Sequence, residues 1–276
     1  MRTQSKPQQV ARAFLVALTC LALNVPPSAA SSVQRRSLAD LAKDAELIFE
    51  GKAIGSTGTG CSIALANPLA ATFSYQTTGA GNQPTGSPNV PATIAVSGSQ
   101  SFIISVTPAP FNAMDVPFNM QCANAPAASS TTGLNTLLLS TSNTPEPDIV
   151  ALAATSESYG YVHLAFSDHS GAFAVAIVNL GATAAITASA DTGTASLPLS
   201  VMLCQTDPTS GQCITPIGST VPTTIAADTP PTFAIFLQAS TPTFVPDPAN
   251  KRVFVRFRDS SGVTRGSTSV SVTNLP

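Results

Sequence analysis

Two stretches of this chain, separated by roughly half its length, run through the same succession of residues, and that repeat constrains the fold more than any other feature. The first reads Gln76-Thr77-Thr78, then Val90-Pro91-Ala92-Thr93-Ile94-Ala95, then Ser101-Phe102-Ile103. The second reads Gln205-Thr206-Asp207, then Val221-Pro222-Thr223-Thr224-Ile225-Ala226, then Thr232-Phe233-Ala234. The matched positions lie 129 residues apart at Gln76/Gln205 and 131 apart at Val90/Val221 and Phe102/Phe233. Solenoid repeats run to roughly 20–50 residues, so a period this long means two copies of a whole domain. A duplicated scaffold does not disclose its function, because function resides in sites carried on the scaffold.

The copies read as all-β. From residue 47 onward, short runs that alternate apolar and polar residues are separated by Gly, Pro, Asn and Ser clusters, the pattern of a sandwich or barrel. Strands are expected at 61–66, 71–77, 92–96, 101–107, 116–122 and 134–140 in the first copy. In the second they are expected at 149–154, 161–167, 172–180, 185–190, 197–204, 223–226, 232–239, 252–258 and 262–272. In 172–180, Phe173, Val175, Ile177 and Asn179 share one side and Ala174, Ala176 and Val178 the other. A strand apolar on both sides is expected in the middle of a sandwich or against the other domain. Ser142-Asn143-Thr144-Pro145-Glu146-Pro147-Asp148 is the expected boundary, since Pro-x-Pro favours a stiff, extended connector. The organisation predicted is therefore a processing segment at 1–30, a short helical segment at 31–45, one β-sandwich at 46–141, a linker at 142–148 and a second sandwich at 149–276.

The helix is read from Ser37 and Asp40 as a capping pair, with Leu38, Leu41 and Ala45 on one face. Before it, Arg2, Lys6 and Arg12 precede an apolar run of eleven residues, Ala13–Leu23, and Pro26-Pro27-Ser28-Ala29-Ala30 offers small residues for cleavage after Ala30. That is the anatomy of a secretory signal, and the run is well short of the 18 or so residues of a membrane span. Cleavage leaves 9 basic residues against 14 acidic ones, a mature charge near −5. This lacks the basic footprint of a nucleic-acid binder. Charge is also sparse, with none from Ala53 to Met114, yet 43% hydrophobic content supplies the core that disordered chains lack.

Four cysteines follow the cleavage point: Cys61, Cys122, Cys204 and Cys213. An even number in an exported chain reads as disulfides, and four allow three pairings. Asp207-Pro208 and Ser210-Gly211 are turn signals between Cys204 and Cys213, which favours a clip across that loop and leaves Cys61 to Cys122. Zinc is the competing reading, but no CxxC or paired histidine accompanies the thiols.

Several segments resemble a proteobacterial family of secreted Ig-like proteins: Ser101–Pro108, Asp115–Cys122, Gly133–Leu139, Pro147–Thr155, Cys204–Thr206 and Val253–Phe257. The likeness extends over most of the chain from about Cys61 to Val272. It implies tandem Ig-like β-sandwich modules, export and a bacterial source, and it implies no catalytic activity.

The residues themselves offer little chemistry. His163 falls on a strand whose apolar face is Val162, Leu164 and Phe166, and His169 sits in the turn composition Ser167-Asp168-His169-Ser170-Gly171. Asp168, His169 and Ser170 are triad residue types, but three consecutive residues cannot aim at one another as orienter, base and nucleophile. Glu146, Asp148, Glu157 and Asp168 gather loosely, without the tight spacing of a calcium loop. Neither enzymatic activity nor a cofactor is expected.

The one candidate surface is Lys251-Arg252-Val253-Phe254-Val255-Arg256-Phe257-Arg258. Alternation puts Arg252, Phe254, Arg256 and Arg258 on one face, with Lys251 and Arg265 nearby. Arginine's planar fork suits carboxylate, sulfate or phosphate, so an anionic polysaccharide is one candidate partner. The competing reading is charge guarding an edge strand against sheet-to-sheet aggregation. The function expected is a structural or adhesive protein of the bacterial envelope or surface, working through an unidentified protein partner or self-association.

Overall fold

A computed structural model describes residues 45–109, 111–156, 160–240 and 247–273. The cleavage segment and residues 31–44 of the expected helix lie outside the described residues. Ala45, taken as the end of that helix, instead opens a strand and pairs with Val106. The described chain is all-β.

Eight strands build the first sandwich: β1 (Ala45–Lys52), β2 (Gly58–Leu65), β3 (Ala71–Thr78), β4 (Pro84–Thr85), β5 (Ala92–Ile94), β6 (Ser99–Pro108), β7 (Phe111–Gln121) and β8 (Thr136–Thr141). Nine build the second: β9 (Ile149–Ala154), β10 (Tyr161–His163), β11 (Ser170–Asn179), β12 (Ala184–Asp191), β13 (Leu199–Thr206), β14 (Thr220–Ile225), β15 (Thr232–Ala239), β16 (Arg252–Asp259) and β17 (Thr264–Thr273). The first sandwich has sheets ordered β1-β6-β3-β4 and β5-β2-β7-β8, and the second has β9-β11-β15-β13 and β14-β12-β16-β17-β10.

Set side by side, these orders are one topology. β1, β2, β3, β5, β6, β7 and β8 hold the places of β11, β12, β13, β14, β15, β16 and β17, visited in the same sequence order. With β9 in front, the second sandwich has the four-strand and three-strand sheets of an Ig-like fold, extended by β14 and by the parallel pairing of β10 with β17.

Alternation explains which side each strand buries. In β15, Phe233, Ile235, Leu237 and Ala239 are buried while Gln238 is exposed. Their partners across the sandwich are Val253, Val255 and Phe257 of β16, and the Phe233 and Phe257 rings meet with centroids 5.3 Å apart. The repeat holds at Phe102/Phe233 and Ile94/Ile225, all buried. It slips elsewhere. Gln205 lies opposite Phe233, but Gln76 lies opposite Ile103, one residue from Phe102, so the two glutamines face opposite sides. Val221 is buried in β14, whereas Val90 precedes β5 and is exposed.

Two expectations are corrected here. The strand at 161–167 stops at His163, because Leu164 turns into the core and the His169 N–H closes a turn onto the Ala165 carbonyl. Phe166, expected on the apolar face, is left 61% exposed. β11 is interior in its sheet, one of the two placements expected for it, and on its outer side Ala172 and Ala174 are exposed.

Asn179 ends the inward series of β11 and is fully buried. Its Nδ2 donates to the Ala182 and Ile225 carbonyls, and its Oδ1 accepts from the Asp148 and Gly181 N–H groups. Every polar atom of the amide is thus satisfied, as burial requires. The bond from Asp148 ties the end of the 142–148 segment to the second sandwich. Leu180 and Ala182 N–H groups add bonds to the Asp148 and Glu146 carbonyls.

Candidate functional site

The five cations singled out in the sequence do not form one surface. Arg252, Arg256 and Arg258 project from β16 on the side opposite the buried Val253, Val255 and Phe257, and Lys251 stands just before the strand. β16 lies between β17 and β12, so the idea that these charges guard an edge strand is incorrect. Strand neighbours are set by pairing across long sequence separations, which local alternation does not report.

Arg265 points elsewhere. Along β16 and β17, Phe257 pairs with Gly266 but Arg258 pairs with Thr264, so Arg265 is the extra residue of a β-bulge. The bulge takes it off the outer face and buries it to 8% exposure. There its Nε meets Asp259 at 2.6 Å and its Nη2 meets Glu146 at 2.6 Å. This cation is an internal clasp between the 142–148 segment and the second sandwich.

The outward arginines are also engaged within the chain. Arg252 donates through Nε and Nη2 to Ser269 and through Nη1 to the Pro248 carbonyl, and burial draws its pKa below the ordinary arginine value. Arg256 is paired with Asp191 at 2.8 Å and lies 4.9 Å over the Phe254 ring. Arg258 donates to the Ser189 hydroxyl at 2.7 Å.

Phe254 explains why this face is covered. It stands among the arginines yet is only 4% exposed. A Cβ on Gly133, in the turn between β7 and β8, would come within 3.2 Å of its ring, and one on Gly193 within 2.8 Å. Both glycines have positive φ, 77° and 64°, and both leave the space that the ring fills. Gly133 belongs to the first sandwich, so the arginine strand packs against the neighbouring copy. A large aromatic in a polar series was the available signal: alternation places Phe254 outward among charged residues, where another part of the fold has to cover it.

Replacing Gly133 with valine should therefore combine a strained φ with a clash against Phe254 and lower stability by about 2 kcal/mol. Urea denaturation measures it. An unchanged midpoint would show that the contact carries no weight.

The remaining candidates do not converge. The His163 ring packs edge-on against Tyr161, with centroids 4.9 Å apart. His169 occupies a turn with φ 56°, in which Asp168 Oδ1 accepts from the Ser170 N–H. That bond, with the Ser170 side chain, holds the Asp168 carboxyl below the ordinary range. Glu146 is occupied by Arg265, and Glu157 lies outside the described residues. Among the described residues no three His, Cys, Asp or Glu side chains gather in a way that could hold a metal, and no helix is long and apolar enough to cross a membrane. Both disulfides join the expected partners, Cys61 to Cys122 and Cys204 to Cys213.

No known protein family matches the chain, and no curated protein does. Among solved structures it is similar to BcpA, the major pilin subunit of Bacillus cereus, at 10% identity over 79% of this chain and 69% of that one, with a TM-score of 0.27. It is similar to the CupB6 tip adhesin from Pseudomonas aeruginosa at 10% identity over 91% of this chain and 98% of that one, with a TM-score of 0.26. The secreted serine protease VesC from Vibrio cholerae matches at 9% identity over 72% and 43%, with a TM-score of 0.22. Likeness at this level decides nothing about fold or function.

Proposed function

We propose that this is an exported, non-enzymatic structural or adhesive protein of the bacterial envelope or surface, acting through protein contacts. In this reading residues 1–30 are removed, and 46–141 and 149–276 are the two domains joined at 142–148. The observation that carries it is where the charge goes. The second copy's arginines spend their donors on the protein itself, while the opposite sheet of that copy presents uncharged side chains to solvent. A surface built this way suits a protein partner better than a charged ligand.

The second reading, an anionic surface glycan held by Arg252, Arg256 and Arg258, is supported by Arg258, which commits one donor, to Ser189. The two readings separate on an array of bacterial surface polysaccharides, probed with residues 31–276 at low and at physiological salt. Protein contacts predict silence at both. Binding that weakens with salt and disappears in the R252A/R256A/R258A variant would replace this function with a glycan-binding one.

A further inference from the structure

The outer side of the β9-β11-β15-β13 sheet differs from its counterpart in the first copy in a way the fold does not require. None of these four strands contains a charged residue. Pairing arranges the residues of this side in rows: Met202 opposite Phe236 and Phe236 opposite Ala172, then Ala234, Ala174 and Ala154, then Thr232, Ala176 and Leu152, while Cys204 and Thr206 at the β13 ends of the last two rows are buried, Cys204 in its bond to Cys213. Met202 and Phe236 form a ridge. With Ile217 and Ala172 they line a shallow groove of about 420 Å³. The alanines beside the ridge form a flat floor. Met202 is 41% exposed, Leu152 47% and Ile217 51%.

The first copy is an internal control. At the places of Thr232, Ala234, Phe236 and Gln238 it carries Ser101, Ile103, Ser105 and Thr107. At the place of Ala176, register puts Glu50. One topology thus tolerates hydroxyls and a carboxylate on this side, where the second copy carries an apolar ridge and an alanine floor. Contiguous apolar patches on single-chain proteins are often functional when they reach a few hundred Å².

We propose that this face docks a second copy of the same chain, face to face about a two-fold axis. Self-complementarity selects that occupant. Ridge and floor lie side by side on one surface, so a two-fold rotation lays each ridge on the other copy's floor, as an isologous interface demands. A partner without charge also avoids desolvating ions against an uncharged sheet. Four strands about 4.8 Å apart and some six residues long, less the covered end of β13, offer about 350 Å² per copy, so the dimer expected is weak and reversible. This inference rests on the contact-protein reading and names its partner.

Sedimentation equilibrium of residues 31–276, from about 5 µM to about 500 µM, tests it. The expected result is a reversible monomer–dimer equilibrium in that range. Phe236→Ser, which installs the residue the first copy carries as Ser105, should weaken it by about tenfold or more. Ala174→Glu should abolish it, and Ser105→Glu on the first copy should leave it unchanged. A monomer at every concentration, or a dimer indifferent to Phe236→Ser, would overturn the proposal. The serine variant decides the matter if Ala174→Glu does not fold. Failure here with a silent glycan array leaves the contact reading standing with a different protein partner, whereas an intact dimer alongside salt-sensitive glycan binding removes that reading and keeps this interface.

Discussion

Replacing Arg265 with methionine is expected to lower the unfolding free energy by about 3–5 kcal/mol, because it leaves buried carboxylate without its counter-charge. Asp259 bears most of that loss, with a side chain only 9% exposed against 6% for Arg265. Glu146 is 38% exposed and is screened by solvent, so it adds less. Arg265→Met combined with Asp259→Asn should recover much of the loss, since the second change removes the stranded charge. The pH dependence has a definite sign. Burial opposes ionisation of Asp259, but bonds from the Ser261 hydroxyl, Arg265 and the Val263 N–H more than offset it, and the carboxyl titrates below the ordinary range. A depressed carboxylate stabilises the fold above its unfolded value near pH 4, and that stabilisation drains away as pH falls below it. The variant should lose part of this acid slope. A urea midpoint at pH 7 that is the same for the native protein and the Arg265→Met variant would show that the clasp has no energetic role.

Loss of the Cys61–Cys122 disulfide should be nearly as costly, about 4 kcal/mol, and should exceed loss of Cys204–Cys213, at about 2.5–3 kcal/mol. The difference follows from loop length, with 61 residues of sequence separation against 9, since the longer cross-link removes more freedom from the unfolded chain. The consequence is larger still for the first copy. Cys61 is 3% exposed and belongs to that copy's buried core, so breaking its bond also disturbs the packing there. Comparing the Cys61→Ser/Cys122→Ser and Cys204→Ser/Cys213→Ser variants by thermal unfolding measures the order. The first pair should destabilise the first sandwich selectively, and an equal effect from both pairs would contradict the account.

What the sequence disclosed tracks how locally each feature is encoded. β9 and β15 begin and end where alternation placed them, because both are bounded by turn residues and bury one clean side. Alternation likewise placed Val253, Val255 and Phe257 inward and Arg252, Arg256 and Arg258 outward. It failed where the backbone departs from period two. Arg265 is the extra residue of a bulge, and a bulge leaves no reliable trace in the order of residues around it. The position of β16 inside its sheet was equally hidden, since β12 and β17 reach it by separate connections.

Gln76 and Gln205 show a subtler failure. Their identity suggested equivalence, but pairing against Phe102 and Phe233 decides it, and one residue of slip reverses a side chain's face. Two signals were present and unused: the aromatic Phe254 within a polar series, and the absence of charge from every strand of one sheet. The first marked the contact with the neighbouring copy. The second marked the face left open.

If function lies in the uncharged sheet face and the arginines serve internal contacts, the salt response of self-association tests that division most directly. Sedimentation equilibrium of residues 31–276 at about 20 mM and about 500 mM sodium chloride, and in sodium sulfate, reads it on the unaltered protein. An apolar, charge-free interface predicts a dimerisation constant that holds steady with chloride and tightens with sulfate. A constant that weakens by about tenfold or more as chloride rises would move the contact to the charged residues and contradict the account.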